Sequence, residues 1–279
     1  IIVMSIIGIH STIRYGKFIS RRKSIVNWRG VHLMLNVTAR LDLMSKILDT
    51  LKAVVEDAKF DFKENSLHIR VVDHSHVAMI QMDIDSAAFD TWELDESSVA
   101  FELDVIRDIV GIGNPDEMLN LKTDSGSGML HAKLGNVEGE IRTIDPSTIT
   151  VPSLPPLKPQ CKVHLSGKDF IRILRAARLG GDMMTLAIKD NEFRVTASDP
   201  NKNIQVFFDK DDLQLLEFDQ PAHSQYSLGY LIPLNKVVGD VDTLELGFGE
   251  NYPLSINFTF YNGAVEVQYF LAPRVEGDI

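Results

Sequence analysis

One cysteine, Cys161, stands in 279 residues. It cannot close an internal disulfide, and it excludes a cysteine-rich zinc site. The compartment it fits is a reducing cytosol. Catalytic signatures are also scarce. There is no G-x-x-x-x-G-K-[ST] phosphate loop, no G-x-S-x-G nucleophile turn and no H-E-x-x-H pair. Positive charge is in deficit: 28 Lys and Arg against 39 Asp and Glu give a net charge of −11. That balance argues against sequence-blind nucleic-acid binding by the whole surface, and it leaves room for a local basic patch. What is present is ordinary globular material, 44% hydrophobic and 24% charged, long enough for two domains.

The charge is unevenly placed. Residues 1–33 hold Arg14, Lys17, Arg21, Arg22, Lys23 and Arg29 with no Asp or Glu, which leaves 22 basic and 39 acidic residues in the rest. The chain opens on an apolar run, residues 1–9, too short to span a bilayer. A secretory signal would put its cations before that run, and here they follow it. Residues 1–33 read as an extension outside the fold, upstream sequence translated in frame, with Met34 as the natural start. A membrane-surface anchor is the alternative.

From Met34 the pattern becomes regular. Leu43, Met44, Ile47, Leu48, Leu51, Val54 and Val55 recur at helical spacing and predict a helix over residues 41–57. Alternating text predicts strands at 59–62 and 67–72 joined by a Glu64-Asn65-Ser66 turn, and a strand over 76–85. A short helix over 103–111 is followed by strands at 118–123, 128–134 and 137–144. A shift of 126 residues repeats the unit: Met44, Ile47 and Leu48 fall on Phe170, Ile173 and Leu174, and Lys63-Glu64-Asn65 falls on Lys189-Asp190-Asn191. With two extra residues, Leu103, Ile106, Ile109 and Val110 fall on Leu231, Leu234, Val237 and Val238. A period this long implies two similar domains rather than a solenoid. These are residues 34–144 and 160–279, joined at 145–159 by a connector with five prolines that fits neither a helix interior nor a central strand. Its apolar residues Ile149, Val151, Leu154 and Leu157 imply that it lies on the body or forms part of a binding surface.

Residues 165–179 carry the sharpest signal. Lys168, Arg172, Arg175 and Arg178 fall on one stripe of a helix, with Phe170, Ile173, Leu174 and Ala177 on the other side. Ser166 is placed to cap the helix and Gly180-Gly181 to end it. Lys46, Lys52, Arg107 and Lys236 add a cation to each of the other helices. If the helices share one face, that face is basic and the remainder acidic, which suits contact with phosphates without reading bases. The competing readings are a solvated helix face and, in Asp73-His74-Ser75-His76, a metal-dependent hydrolase that uses Asp73, His74 and His76.

V-V-D-H-S-H-V-A-M (residues 71–79), I-D-P-S-T-I-T-V-P (144–152), F-I-R-I-L-R (170–175) and Y-F-L-A-P-R-V-E-G (269–277) closely resemble the archaeal sliding clamp, the proliferating cell nuclear antigen family. The resemblance runs from Met34 to Ile279. It implies an α+β fold of two topologically similar domains and a ring of three subunits, with helices lining the hole and antiparallel sheets outside. It implies no enzymatic activity and no cofactor. The partners would be duplex DNA, DNA polymerase, flap endonuclease, DNA ligase and a clamp loader of the replication factor C type, in a cytoplasmic setting at the archaeal nucleoid. The hole-lining positions would be Lys46, Lys52, Arg107, Arg172, Arg175 and Lys236, with Lys168 and Arg178 added by helical phase. A partner peptide would enter a pocket of Val72, His76, Ile149, Val151, Pro152, Pro253, Phe270, Ala272 and Pro273. Subunits would meet along Val137, Glu138, Ile141 and Arg142 on one side and Ile204, Val206 and Phe208 on the other. A checkpoint-type clamp that joins other chains in a heterotrimer is the alternative within the same fold.

Overall fold

The computed structural model describes residues 33–124, 126–150, 153 and 156–274. Of the expected extension at residues 1–33, residues 1–32 lie outside the described residues, as do connector residues Val151, Pro152 and Leu154, while Leu33 already begins the first strand. The first half contains β1 (Leu33–Arg40), α1 (Leu41–Leu51), β2 (Asp57–Phe62), β3 (Ser66–Val72), β4 (Ala78–Asp85), β5 (Thr91–Leu94) and β6 (Ser97–Glu102). It continues with α2 (Leu103–Val110), β7 (Met118–Asp124), β8 (Met129–Leu134) and β9 (Val137–Arg142). The second half repeats that order: β10 (Cys161–Leu165), α3 (Gly167–Gly180), β11 (Met183–Lys189), β12 (Glu192–Asp199), β13 (Lys202–Asp209), β14 (Leu215–Phe218) and β15 (Ala222–Ser227). There follow α4 (Leu228–Leu231), β16 (Leu244–Phe248), β17 (Leu254–Phe260) and β18 (Val265–Leu271).

Sheet topology makes the duplication concrete. One antiparallel sheet runs β5-β1-β7-β8-β9, and its counterpart in the second half runs β14-β10-β16-β17-β18. The set β4-β3-β2-β6 has its counterpart in β13-β12-β11-β15. β18 pairs antiparallel with β4, Tyr269 opposite Ile80, so that strands of the two halves fuse into one nine-stranded sheet. The helices pack on one face of the sheets. Ile47 and Leu48 of α1 are fully buried with Leu35, Phe60 and Phe101, the two aromatic rings stacked at 4.5 Å. Phe170, Ile173 and Leu174 of α3 are buried in the same way against the β12 side. Each such side chain contributes roughly 1.5–3 kcal/mol by leaving water.

Several expectations need correction. α1 ends at Leu51 rather than 57, because Asp57 already begins β2 with Ala58 and Phe60 pointing inward. β4 begins at Ala78, not 76, because His76 takes a positive φ of 57° in the turn before it. The fourth helix is one α-turn followed by a 3-10 segment, Ile232–Lys236, since Pro233 withholds the N–H that an α-helix needs. The ladders also align Leu103 with Leu228, because Phe101 opposite Ala58 corresponds to Tyr226 opposite Met184. The alignment that sets Leu103 against Leu231 is therefore one helical turn out. The Lys-Glu/Asp-Asn turns coincide in sequence but not in shape: Asp190 and Asn191 both take positive φ in a two-residue hairpin, and Glu64 and Asn65 do not.

Ser166 caps α3 as expected, its Oγ accepting from the Asp169 N–H at 3.1 Å. Gly167 allows the helix to start against the 237–241 segment, where an added Cβ would fall 1.7 Å from the Val238 carbonyl oxygen. Gly181 ends the helix at φ 150°, open to glycine and strained for other residues.

Candidate nucleic-acid interface and partner surface

The helices form a row. α1 touches α2 on one side and the 3-10 segment of the fourth helix on the other, and the fourth helix touches α3. A groove between α1, α2 and the fourth helix is lined by Lys46, Asp49, Arg107, Lys236 and Asp240. Lys46, Lys52, Arg107 and Lys236 thus come onto one face of the molecule with the stripe of α3.

The cations on that face differ in their partners. Lys46 Nζ lies 2.5 Å from Asp240 Oδ1 and 4.9 Å from the centre of the Phe260 ring. Lys52 pairs with Glu56 and, at 2.8 Å, with Asp104 at the start of α2. Its side chain is 16% exposed. Burial works against the charge on Lys52, but its hydrogen bonds to Asp104 and Glu56 outweigh that and hold its pKa above the usual lysine value. Arg107 reaches Asp49 at 3.1 Å and Asp104 at 3.8 Å. On α3, Lys168, Arg172, Arg175 and Arg178 are all exposed, and among the described residues none makes an ion pair; nor does Lys236. Counting cations per helix missed this, although the signal was present: Asp42, Asp49, Asp104 and Asp108 are interleaved with Lys46, Lys52 and Arg107 in the sequence.

The Asp-His-Ser-His stretch does not assemble a metal centre. It forms the turn between β3 and β4, where the nearly buried Asp73 carboxylate accepts the backbone N–H groups of Ser75 at 3.0 Å and of Val77 and Ala78 at 2.7 Å. The Tyr230 hydroxyl donates to it at 3.4 Å. His74 and His76 point outward, exposed. The carboxylate is thus occupied in holding a turn.

Several residues expected in a partner pocket do meet. Val72 lies opposite Met79, Met79 opposite Phe270, and Phe270 opposite Ser255, a row across four strands on the sheet face away from the helices. Val72 and Phe270 are half-buried, and beyond the row the Ala272 N–H donates to the Val77 carbonyl at 2.8 Å. Pro253 and Pro273 flank its end, half-buried. His76 belongs to the adjoining turn, its N–H donating to the Asp73 carbonyl at 2.9 Å. The described ends of the connector meet the same sheet, Ile144 bridging Ala100 at one end. The Lys158 N–H donates to the Tyr252 hydroxyl at 2.9 Å, and Pro159 covers Gly247, where an added Cβ would come 2.7 Å from Pro159 Cγ. Ile149 follows a 3-10 turn at Pro146–Thr148, half-buried. Met79 and Gly247 complete this surface; strand alternation points to Met79, and only the fold points to Gly247.

The expected subunit segments are both sheet edges, β9 and β13. Glu138 and Arg142 are exposed and Val137 half-buried. Ile141 and Phe208 are buried in the chain's own interior, Phe208 packing on Phe193 at 6.2 Å, and Ile204 and Val206 are half-buried, so an edge contact there falls largely to the backbones. Phe207, 64% exposed, and Ile112, 63% exposed, lie on β13 and after α2. Neither stood out in the sequence, because apolarity alone does not reveal whether a residue faces the core or solvent.

The same architecture occurs in known proteins. Residues 34–143 match the family described as Proliferating cell nuclear antigen, N-terminal domain. A DNA polymerase sliding clamp of Haloarcula marismortui is 31% identical over 88% of this chain and 100% of its own length. The chain belongs to the proliferating cell nuclear antigen family of sliding clamps. A DNA polymerase sliding clamp of Methanococcoides burtonii is 30% identical with the same coverage. Among solved structures, the A. fulgidus PCNA bound to the C-terminal region of FEN-1 matches with a TM-score of 0.81 at 29% identity, over 88% of this chain and all of that one. The family assignment accounts for the paired halves and the row of helices in one description.

Proposed function

We propose that three copies of this chain close into a ring that encircles duplex DNA, with the helical row inward and the sheets outward, and that the ring tethers replication enzymes without catalysis of its own. The observation that carries this reading is the pairing of β18 with β4. The duplication makes β9 the counterpart of β18 and β13 the counterpart of β4, and both counterparts are free sheet edges among the described residues. A second copy can repeat across β9 and β13 the join that the chain already makes within itself. Such a head-to-tail contact generates a closed ring when its rotation closes. Laying the β18-β4 ladder on the free edges sets Gly139 opposite Ile204 and Glu138 opposite Gln205.

Within this reading the chain divides into 34–144, a connector at 145–159 and 160–279. Encirclement gives persistence topologically, so weak salt-dependent phosphate contacts suffice and permit sliding. The row from Val72 to Phe270 would take apolar anchors of a partner peptide, from a flap endonuclease, polymerase, ligase or clamp loader. The likeness to a PCNA bound to the C-terminal region of FEN-1 supports this. No helix among the described residues is long and apolar enough to cross a membrane. The test loads the protein onto nicked circular duplex with a clamp loader and then linearises the DNA. The reading expects the protein to stay on the circle and run off the ends. Equal retention on both forms would refute encirclement.

A further inference from the structure

Equivalent positions in the two halves carry different charge. α1 starts at Leu41 and α3 at Gly167, and Val37 opposite Leu121 corresponds to Val163 opposite Leu246. In that frame Asp42, Lys46 and Asp49 of α1, with Lys52 capping its end, occupy the places of Lys168, Arg172, Arg175 and Arg178 of α3. The same stripe is therefore electrically balanced in one half and carries four positive charges in the other. The balance is built into contacts. Lys46 is held by Asp240 and the Phe260 ring, Lys52 joins α1 to Asp104 of α2, and Arg107 is drawn to Asp49, where α3 presents Arg175 instead. A phosphate that approached α1 or α2 would have to displace a carboxylate from each cation, with the exposed Asp108 adding repulsion.

We infer that duplex phosphates are held by the C-terminal half alone, through Lys168, Arg172, Arg175 and Arg178 with Lys236 beside them, and that the cations of α1 and α2 are structural ion-pair members that do not contact the nucleic acid. The inference rests on the ring reading and narrows it: the duplex meets one basic stripe per copy, three around the hole, rather than a uniformly basic lining. Arg172 to Arg178 covers six residues, about 9 Å along a helix axis at 1.5 Å per residue, comparable to the rise of roughly three base pairs.

The experiment measures binding of the full chain to a short duplex by fluorescence anisotropy across a salt series, with the mass of each variant checked by light scattering. Two variants neutralise whole ion pairs at constant net charge, Lys46→Gln with Asp240→Asn and Arg107→Gln with Asp49→Asn. The inference expects both to bind within about twofold of the unaltered chain. Arg172→Ala with Arg175→Ala is expected to weaken binding at least tenfold and to flatten the salt dependence. Asp49→Arg, which gives α1 the residue that α3 already has, is expected to tighten binding severalfold and to steepen that dependence. If the pair-neutralised variants weaken binding as much as the arginine variant, or if Asp49→Arg leaves it unchanged, the inference is wrong. If Arg172→Ala with Arg175→Ala lowers the assembled mass, the stripe is a subunit contact and the inference is equally wrong. If the unaltered chain shows no salt-dependent binding at all, the inference is wrong, whereas the ring reading fails only if the loaded protein is retained equally on circular and linearised DNA.

Discussion

Tyr269 of β18 stands directly opposite Ile80 of β4, a contact between the two halves of one chain for which the duplication supplies a second pair of strands. The counterparts, β9 and β13, have no neighbour on that side among the described residues. An edge with unpaired backbone groups invites a strand, and the strand that fits by construction belongs to another copy.

That geometry predicts a cross-link. Glu138 and Gln205 are both exposed and stand opposite each other when the internal ladder is laid on the free edges. Directly opposed residues place their Cβ atoms about 4.5–5.5 Å apart. Glu138→Cys with Gln205→Cys, in a Cys161→Ser background, should give covalent dimers and closed trimers on oxidation. Denaturing electrophoresis reads the ladder, and monomer alone would contradict this register.

The partner surface predicts a loss. Val72 and Phe270 lie on one cross-strand row and are half-buried, so each can cover an apolar anchor. Val72→Ala with Phe270→Ala should weaken binding of a partner peptide with hydrophobic and aromatic anchors by at least tenfold in calorimetry, at unchanged assembled mass. Unaltered affinity would move the peptide elsewhere.

The fold was legible where pattern is local. The helical spacing of Phe170, Ile173 and Leu174, the cap at Ser166 and the repeat at a shift of 126 could all be read from the chain. The fourth helix was not, because Pro233 breaks it and apolar matches one turn apart look alike. At the interface, the stripe of α3 was legible as four like charges at helical spacing. The interleaved Asp42 and Asp49 made the neutral character of α1 legible too, but not its partners, since Lys46 meets Asp240 and Lys52 meets Asp104 only after folding brings distant segments together.

Asp73 gives a prediction that separates turn from metal. Its carboxylate holds three backbone N–H groups, so Asp73→Ala leaves the buried Ala78 donor and the half-buried Val77 donor without that acceptor. A loss of about 2 kcal/mol is expected, read as a lower urea midpoint, and added zinc or magnesium should change neither protein. Metal-dependent stabilisation of the unaltered chain that Asp73→Ala abolishes would restore the hydrolase reading.

Alkaline pH should weaken the fold in a defined window. Burial, with Asp219 adding to it, pushes the Cys161 thiol from 9.0 up to about 11. Burial also raises Tyr226 and Tyr269, whose hydroxyls donate to the carbonyls of Tyr252 and Tyr230. Between pH 9 and 11 the unfolded thiol loses its proton while the folded one keeps it, so stability present below pH 9 falls as pH rises. The share of Cys161 over that whole window is about 3 kcal/mol. Urea unfolding from pH 8 to 10.5 should show the decline in the unaltered chain and a shallower one in Cys161→Ser. Identical slopes would remove the thiol from the account.

Ring closure is the claim on which the rest depends, and the mass of the assembled protein tests it most directly. Size exclusion with light scattering on the purified chain at micromolar concentration should give three times the mass of the 31.2 kDa chain. A persistent monomer would contradict closure by copies of this chain and favour a clamp that needs other subunits.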